Sequence, residues 1–133
     1  MQLLDTDVMI DVLRGYQPAV AWLESLPEAP GLPGFVAMEL MDGCRSKLEM
    51  IRLHRRIQPF QLYWPTQEDC DRALVDFRRN HLAHNLGILD AIIGHCVVGL
   101  AASLCTFNLK HYGGVQGLIT EQPYQKESPH EMP

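Results

Sequence analysis

The chain has 133 residues and a mass of 15.1 kDa, one domain's worth, long enough to bury a core without disulfides or structural metal. Hydrophobic residues make up 47% and charged residues 20%, which excludes the disordered and collagen-like classes. The net charge of -5 counts against a nucleic-acid partner unless the basic residues are concentrated in one place.

No apolar run reaches the roughly 18 to 20 residues of a membrane span. The opening Met1-Gln2-Leu3-Leu4-Asp5 meets an acid too early for a signal peptide, so a cytoplasmic protein is expected. Cys44, Cys70, Cys96 and Cys105 are scattered without a C-x-x-C pair. That spacing suggests neither a zinc site nor a disulfide framework, and predicts reduced, mostly buried thiols.

In chain order, Gln2 to Asp5 reads as a short buried strand, and Thr6-Asp7 offers N-cap chemistry for a helix through Val8, Met9, Val12 and Leu13 that Gly15 closes. A second helix follows Pro18 and holds Val20, Trp22, Leu23 and Leu26, and the stretch from Pro27 to Pro33 is expected as a loop. From Gly34, the pattern Phe35, Val36, Met38, Leu40, Met41 predicts a strand end running into a helix that continues through Gly43 towards a basic segment. That segment carries Arg45, Lys47, Arg52, Arg55 and Arg56 against Glu49, a solvated helix face or a phosphate-tracking patch.

Gln58 to Trp64 has β-forming aromatics. Thr66 is an N-cap for a helix with Glu68 and Asp69 in its first turn and Arg78 and Arg79 near its end. Asn85 to Ala102 is apolar almost all round and reads as a central buried helix. Ser103 to Thr106 and Val115 to Thr120 resemble short strands. Strands alternating with helices predict an α/β fold, a parallel sheet flanked by helices with ligands at the carboxyl ends of its strands.

Asp90 is the most informative residue, because an ionised carboxylate within so apolar a helix is costly without a cation or several donors. Asp5 stands where a buried strand ends and a helix begins, a place for a cap or for a site. Glu39, between Met38 and Leu40, reads alone as an ordinary helical Glu. Carboxylates converging on one pocket repel unless a hard divalent cation compensates, and Mg²⁺ or Mn²⁺ suits oxygen ligands better than zinc. Asp7, Asp11 and Asp42 can extend an acidic pocket but more readily cap or face solvent. The His81/His84 pair lacks a third ligand, His95 reads as a satisfied buried histidine, and Gly113, Gly114 and Gly117 read as turn residues rather than a phosphate loop.

Four motifs carry a family resemblance: Leu3-Leu4-Asp5-Thr6-Asp7, Ala37-Met38-Glu39-Leu40-Met41-Asp42-Gly43, Leu86-Gly87-Ile88-Leu89-Asp90-Ala91 and Cys105-Thr106-Phe107-Asn108. In this order they resemble the PIN domain, and the chain looks like a toxin of the VapC type over residues 1–122, with 123–133 a flexible polar tail. The resemblance implies a PIN-like fold with a central parallel sheet of four to five short strands. It also implies an Mg²⁺-dependent (or Mn²⁺-dependent) endoribonuclease held inactive by a cognate antitoxin, in a homodimer or toxin–antitoxin hetero-oligomer.

Carried onto this sequence, the resemblance makes Asp5, Glu39 and Asp90 metal ligands, with Thr106 and Asn108 completing the catalytic set. Asn108 stands where many such proteins have Asp, and its neutral oxygen favours one metal ion over two. The implied chemistry is phosphodiester hydrolysis by metal-activated water, leaving a 5′-phosphate and a 3′-hydroxyl. Two rivals remain: a PIN nuclease of RNA processing or DNA metabolism without an antitoxin, and a catalytically silent PIN binding module.

Overall fold

The computed structural model describes residues 1–126. Strand β1 (Gln2–Leu4) leads directly into α1 (Thr6–Leu13), then α2 (Gln17–Ser25), β2 (Leu32–Pro33), α3 (Gly34–Asp42), α4 (Lys47–Ile57), β3 (Leu62–Tyr63), α5 (Gln67–His84), α6 (Ile88–Gly99), β4 (Ser103–Cys105) and β5 (Ile119–Glu121). All strand pairings are parallel. Leu3 faces Leu104 and Leu4 faces Cys105, while Leu104 in turn faces Thr120. The fold is α/β with helices flanking the sheet, as expected from the alternation of elements.

The continuous sheet has three strands, in the order β1-β4-β5, rather than four to five. A separate pair, β2-β3, adjoins it through a single bridge between Leu3 and Gly31. The break has a local cause: Pro33 has no N–H for a ladder bond, and the chain turns into α3 at the next residue. The packing there is also close. A Cβ on Gly31 would lie 2.5 Å from the Tyr63 ring, and one on Gly34 would lie 2.5 Å from the Trp64 ring, so only glycine lets β2 approach the β3 segment.

Several boundaries differ from expectation. Leu32 and Pro33, read as loop, form β2, and Gly34 opens a helix rather than continuing a strand. The expected single helix through Gly43 is two helices: Gly43 caps α3, and the Ser46 hydroxyl accepts from the Glu49 N–H to start α4. Asp5, not Thr6 or Asp7, is the N-cap of α1. The last strand is Ile119–Glu121, shorter and later than Val115 to Thr120. Thr66 does cap α5, in a reciprocal box with Asp69, and Asn85 closes that helix at φ 56°.

The core lies between the sheet and α6, where Leu3, Leu4, Leu104, Ile93 and Val97 are fully or almost fully buried. Helix α5 lies along α6 in the most extensive helix–helix contact of the fold. Of the four thiols, Cys96 and Cys105 are buried, Cys44 is half-buried and Cys70 is exposed; none is in a disulfide. Tyr124 packs its ring edge-on against Phe107, with centroids 5.0 Å apart, and donates from its hydroxyl to Asp11 at 2.6 Å. The start of the expected tail is thus docked on α1, and its later part lies outside the described residues. No helix among the described residues is long and apolar enough to cross a membrane.

Candidate active site

Because β1 and β4 are parallel neighbours, their carboxyl ends deliver Asp5 and Thr106 side by side. The Asp5 N–H continues the ladder to the Cys105 carbonyl at 3.0 Å. The Thr106 hydroxyl donates to Asp5 Oδ2 at 2.8 Å, and both side chains are buried. Asp5 Oδ1 accepts from the Thr6 N–H at 2.8 Å and from the Tyr112 hydroxyl at 3.0 Å. Burial dominates the electrostatics: it lifts the Asp5 carboxyl to about 6, Thr106 works against that rise, and the nearby Asp7 adds to it.

Glu39 reaches the same place from α3. Thr6, in the first turn of α1, donates its hydroxyl to Glu39 Oε1 at 2.8 Å, so consecutive residues Asp5 and Thr6 tie one acid to the sheet edge and hold the other. Asp90 comes from the first turn of α6, which starts at Ile88 rather than near Asn85. Asp90 is therefore half-buried at a helix N-terminus, where the helix dipole favours an anion, and not enclosed in mid-helix. Its desolvation is milder than the sequence suggested. Burial still raises its carboxyl, His111 opposes the rise, and Glu39 adds to it.

Tyr112 is the residue that sequence reasoning missed. Its buried phenol is driven far above the ordinary tyrosine range by burial and then by Asp5, Asp90 and Glu39. Its hydroxyl donates to Asp5, and the charges of Asp90 and Glu39 add to the rise. It remains a proton donor at any physiological pH. No sequence signal marks it, since its partner Asp5 is 107 residues away.

The remaining candidates divide. The Asn108 N–H donates to Thr106 Oγ1 at 3.0 Å, but its side chain is exposed and makes no hydrogen bond among the described residues. Asp7 is a loop clamp: one oxygen accepts from the Val8 N–H and the other from the Phe107 N–H at 2.9 Å, fixing the turn that carries Thr106. Asp11 pairs with Lys126 at 3.3 Å and Asp42 is exposed. His81 and His84 are exposed, and His95 meets Asp76 at 2.6 Å within the core. Arg45, Lys47, Arg52, Arg55 and Arg56 are all exposed, on α4 and the turn before it.

Among the described residues, no three His, Cys, Asp or Glu side chains form a ready metal cage. The donor chemistry nonetheless suits a hard cation that keeps much of its water. All three acids supply oxygen, none is in an ion pair among the described residues, and Asp5 Oδ2 has accepted one hydrogen bond where it can take two.

No protein-family model matches the chain, and no curated relative matches it either. Solved structures do. A chain of a toxin–antitoxin complex from Klebsiella pneumoniae is 25% identical and superposes with a TM-score of 0.76, covering 95% of this chain and 100% of that one. A chain of FitAB bound to an IR36 DNA fragment is 21% identical, with a TM-score of 0.76 over 98% and 100% of the two chains. A chain of VapBC2 from Rickettsia felis, bound to a promoter DNA fragment, is 19% identical, with a TM-score of 0.74 over 90% and 96%. In fold, over essentially its whole length, the chain is similar to chains of toxin–antitoxin complexes, VapBC2 and FitAB among them.

Proposed function

We propose that the protein is the toxin of a toxin–antitoxin pair and acts as a metal-dependent endoribonuclease, with Asp5, Glu39 and Asp90 as ligands of one Mg²⁺ or Mn²⁺ ion. The observation that carries this reading is buried Asp5 without an ion pair among the described residues at the carboxyl edge of a parallel sheet, with Glu39 held beside it by the hydroxyl of the next residue, Thr6. Buried acids without a cation are costly, and a divalent ion removes that cost. When bound, such an ion lowers the pKa of water and offsets charge developing on a phosphodiester.

The chain's own residues do the positioning. Thr106 and Tyr112 donate to Asp5 and hold its carboxylate in one rotamer, leaving the second lone pair of Oδ2 directed away from Thr106. Thr6 sets Glu39 in the same way. His111 offsets part of the repulsion at Asp90. Asn108, exposed and neutral, favours a single ion. The basic side chains of α4 serve the RNA backbone.

A cognate antitoxin is the expected partner, as in the complexes to which the fold is similar. A groove of about 400 Å³ supports this, with Ile10, Leu13, Leu40 and Leu53 along its walls and Thr6 and Glu39 among the residues lining it. An antitoxin segment with apolar side chains followed by a cation would fill the groove and pair with Glu39.

The test is cleavage of RNA by the purified chain. Cleavage should require Mg²⁺ or Mn²⁺, stop with EDTA, and fall by about 100-fold or more in Asp90→Asn, the loss of several kcal/mol of charge stabilisation. Unchanged cleavage in that variant refutes the assignment. Growth arrest on expression, relieved by the product of a neighbouring gene, separates a toxin from an RNA-processing nuclease.

A further inference from the structure

A second pocket shares a loop with the acidic cleft and is lined by cationic side chains. It has a volume of about 520 Å³ and lies between the second half of α5, with Asp76, Arg79, Asn80 and His84, and the loop joining β4 to β5, with Lys110 and Gln116. Two bonds from α5 to that loop fix its shape. The Asn80 amide donates to the Gly114 carbonyl at 3.0 Å, and the Gln116 N–H donates to Asp76 Oδ2 at 2.9 Å. Gly114 permits the contact, since a Cβ there would sit 3.0 Å from that of Asn80.

The charges around this frame are unbalanced. The single acid, Asp76, is buried and its Oδ2 also meets His95 at 2.6 Å, so its charge is engaged inside the core. Arg79, His84 and Lys110 are exposed, and none is in an ion pair among the described residues. Three exposed donor side chains around a hollow whose one acid is engaged elsewhere suit an anion, and a guanidinium matches a phosphate fork. The same short loop serves both pockets: Lys110 lines this one, and the next two residues, His111 and Tyr112, face the acids. The pocket is therefore tied to the acidic cleft through this loop, and none of Asp5, Glu39 and Asp90 lines it.

We propose that this pocket is a phosphate subsite, in which Arg79 and Lys110, assisted by His84, hold the substrate's backbone beside the phosphodiester that is cut. The inference rests on the nuclease reading and supplies what that reading lacks. A chain of net charge -5 with three acids at its centre repels a polyanion, and fixed cations beside the cleft offset that repulsion. Phosphate contacts position a strand without reading its sequence, so the subsite fixes register and not base preference.

The experiment compares the full chain with the double variant R79A/K110A, using a fluorescent single-stranded RNA. Binding is followed by anisotropy in EDTA across a salt series, and cleavage is followed with Mg²⁺. Losing two phosphate contacts should flatten the dependence of log Kd on log salt by about 1.4. KM should rise by about tenfold while kcat changes far less, the signature of lost uniform binding. Lys110→Glu, a single exposed change, should raise KM further than Lys110→Ala.

If the variants cleave with unaltered KM and salt slope, the subsite is overturned and the nuclease reading stands. If the RNA binds, the variants bind it more weakly and nothing is cut, the subsite stands and the nuclease reading falls.

Discussion

The acidic cleft and the α5–α6 interface both bury carboxylates, but they treat them oppositely. At the interface, Asp69 meets Arg72 and the Thr66 N–H, and Asp76 meets His95 and the Gln116 N–H. Each acid there has a side-chain nitrogen partner and a backbone donor, and the Arg72 guanidinium touches both Asp69 and His95. In the cleft, Asp5 has hydroxyls and one backbone N–H, Glu39 has the Thr6 hydroxyl, and neither has an ion pair among the described residues. Burial alone therefore does not distinguish a structural acid from a functional one. What separates the two regions is whether the fold supplies the compensating charge, and in the cleft it is left to something that binds.

Removing a partner should therefore cost much at the interface and little in the cleft, where removing the acid's own charge should instead help the metal-free fold. The largest effect on stability is expected for His95→Ala, which strips buried Asp76 of its side-chain partner. The loss should be about 3 kcal/mol or more, read from chemical denaturation. A change within 0.5 kcal/mol would mean that the pair holds nothing together and that the interface does not compensate Asp76.

In the cleft, removing the acid's charge should help the metal-free fold. Asp5 titrates near 3.8 when unfolded and about 6 when folded. Between these values the folded chain holds a proton that the unfolded chain has lost. In EDTA, its contribution to stability is thus present below about pH 4 and lost as pH rises through about 6, by roughly 3 kcal/mol at most. Asp90, raised in the same direction, adds to the trend. Asp5→Asn should flatten the pH profile while abolishing cleavage, and Mg²⁺ should raise the Tm of the unaltered chain more at pH 7.5 than at pH 5. A profile equally steep in Asp5→Asn would show that other groups set it.

The smallest effect is expected for Tyr112→Phe, which removes one donor from Asp5 and leaves the ring in place. Stability should drop by about 1 kcal/mol. Because that hydrogen bond lowers the Asp5 carboxyl, its midpoint in EDTA should move up, visible as a shift of the pH-dependent melting curve. An unmoved midpoint would mean that Tyr112 does not govern Asp5.

How far the fold could be read in advance varied with how local each signal was. The Thr66 cap and the long α5 were legible because a capping box and helical charge placement lie within a few residues. The split between α3 and α4 was not, since Gly43 and Ser46 interrupt a helical pattern that apolar spacing alone carries across. At the candidate site, Asp5 stands between β1 and α1 and Glu39 lies on α3, the kinds of element expected to carry them. Asp90 was found for a reason needing revision, because α6 begins three residues after Asn85 and leaves the acid in its first turn. Asp7, expected to cap or face solvent more readily than to extend the pocket, is a clamp on the Phe107 turn.

By itself, the sequence determined the class of fold, the helices with strong caps and the motif positions of Asp5, Glu39 and Asp90, because each depends on neighbouring residues in the chain. Tertiary structure alone decided which acids are compensated and which are not. Tyr112 reaches Asp5 across 107 residues, Thr6 reaches Glu39 across 33 and His95 reaches Asp76 across 19. A carboxylate's ionisation depends on charges and donors within a few ångströms in space, and separation along the chain does not report that distance.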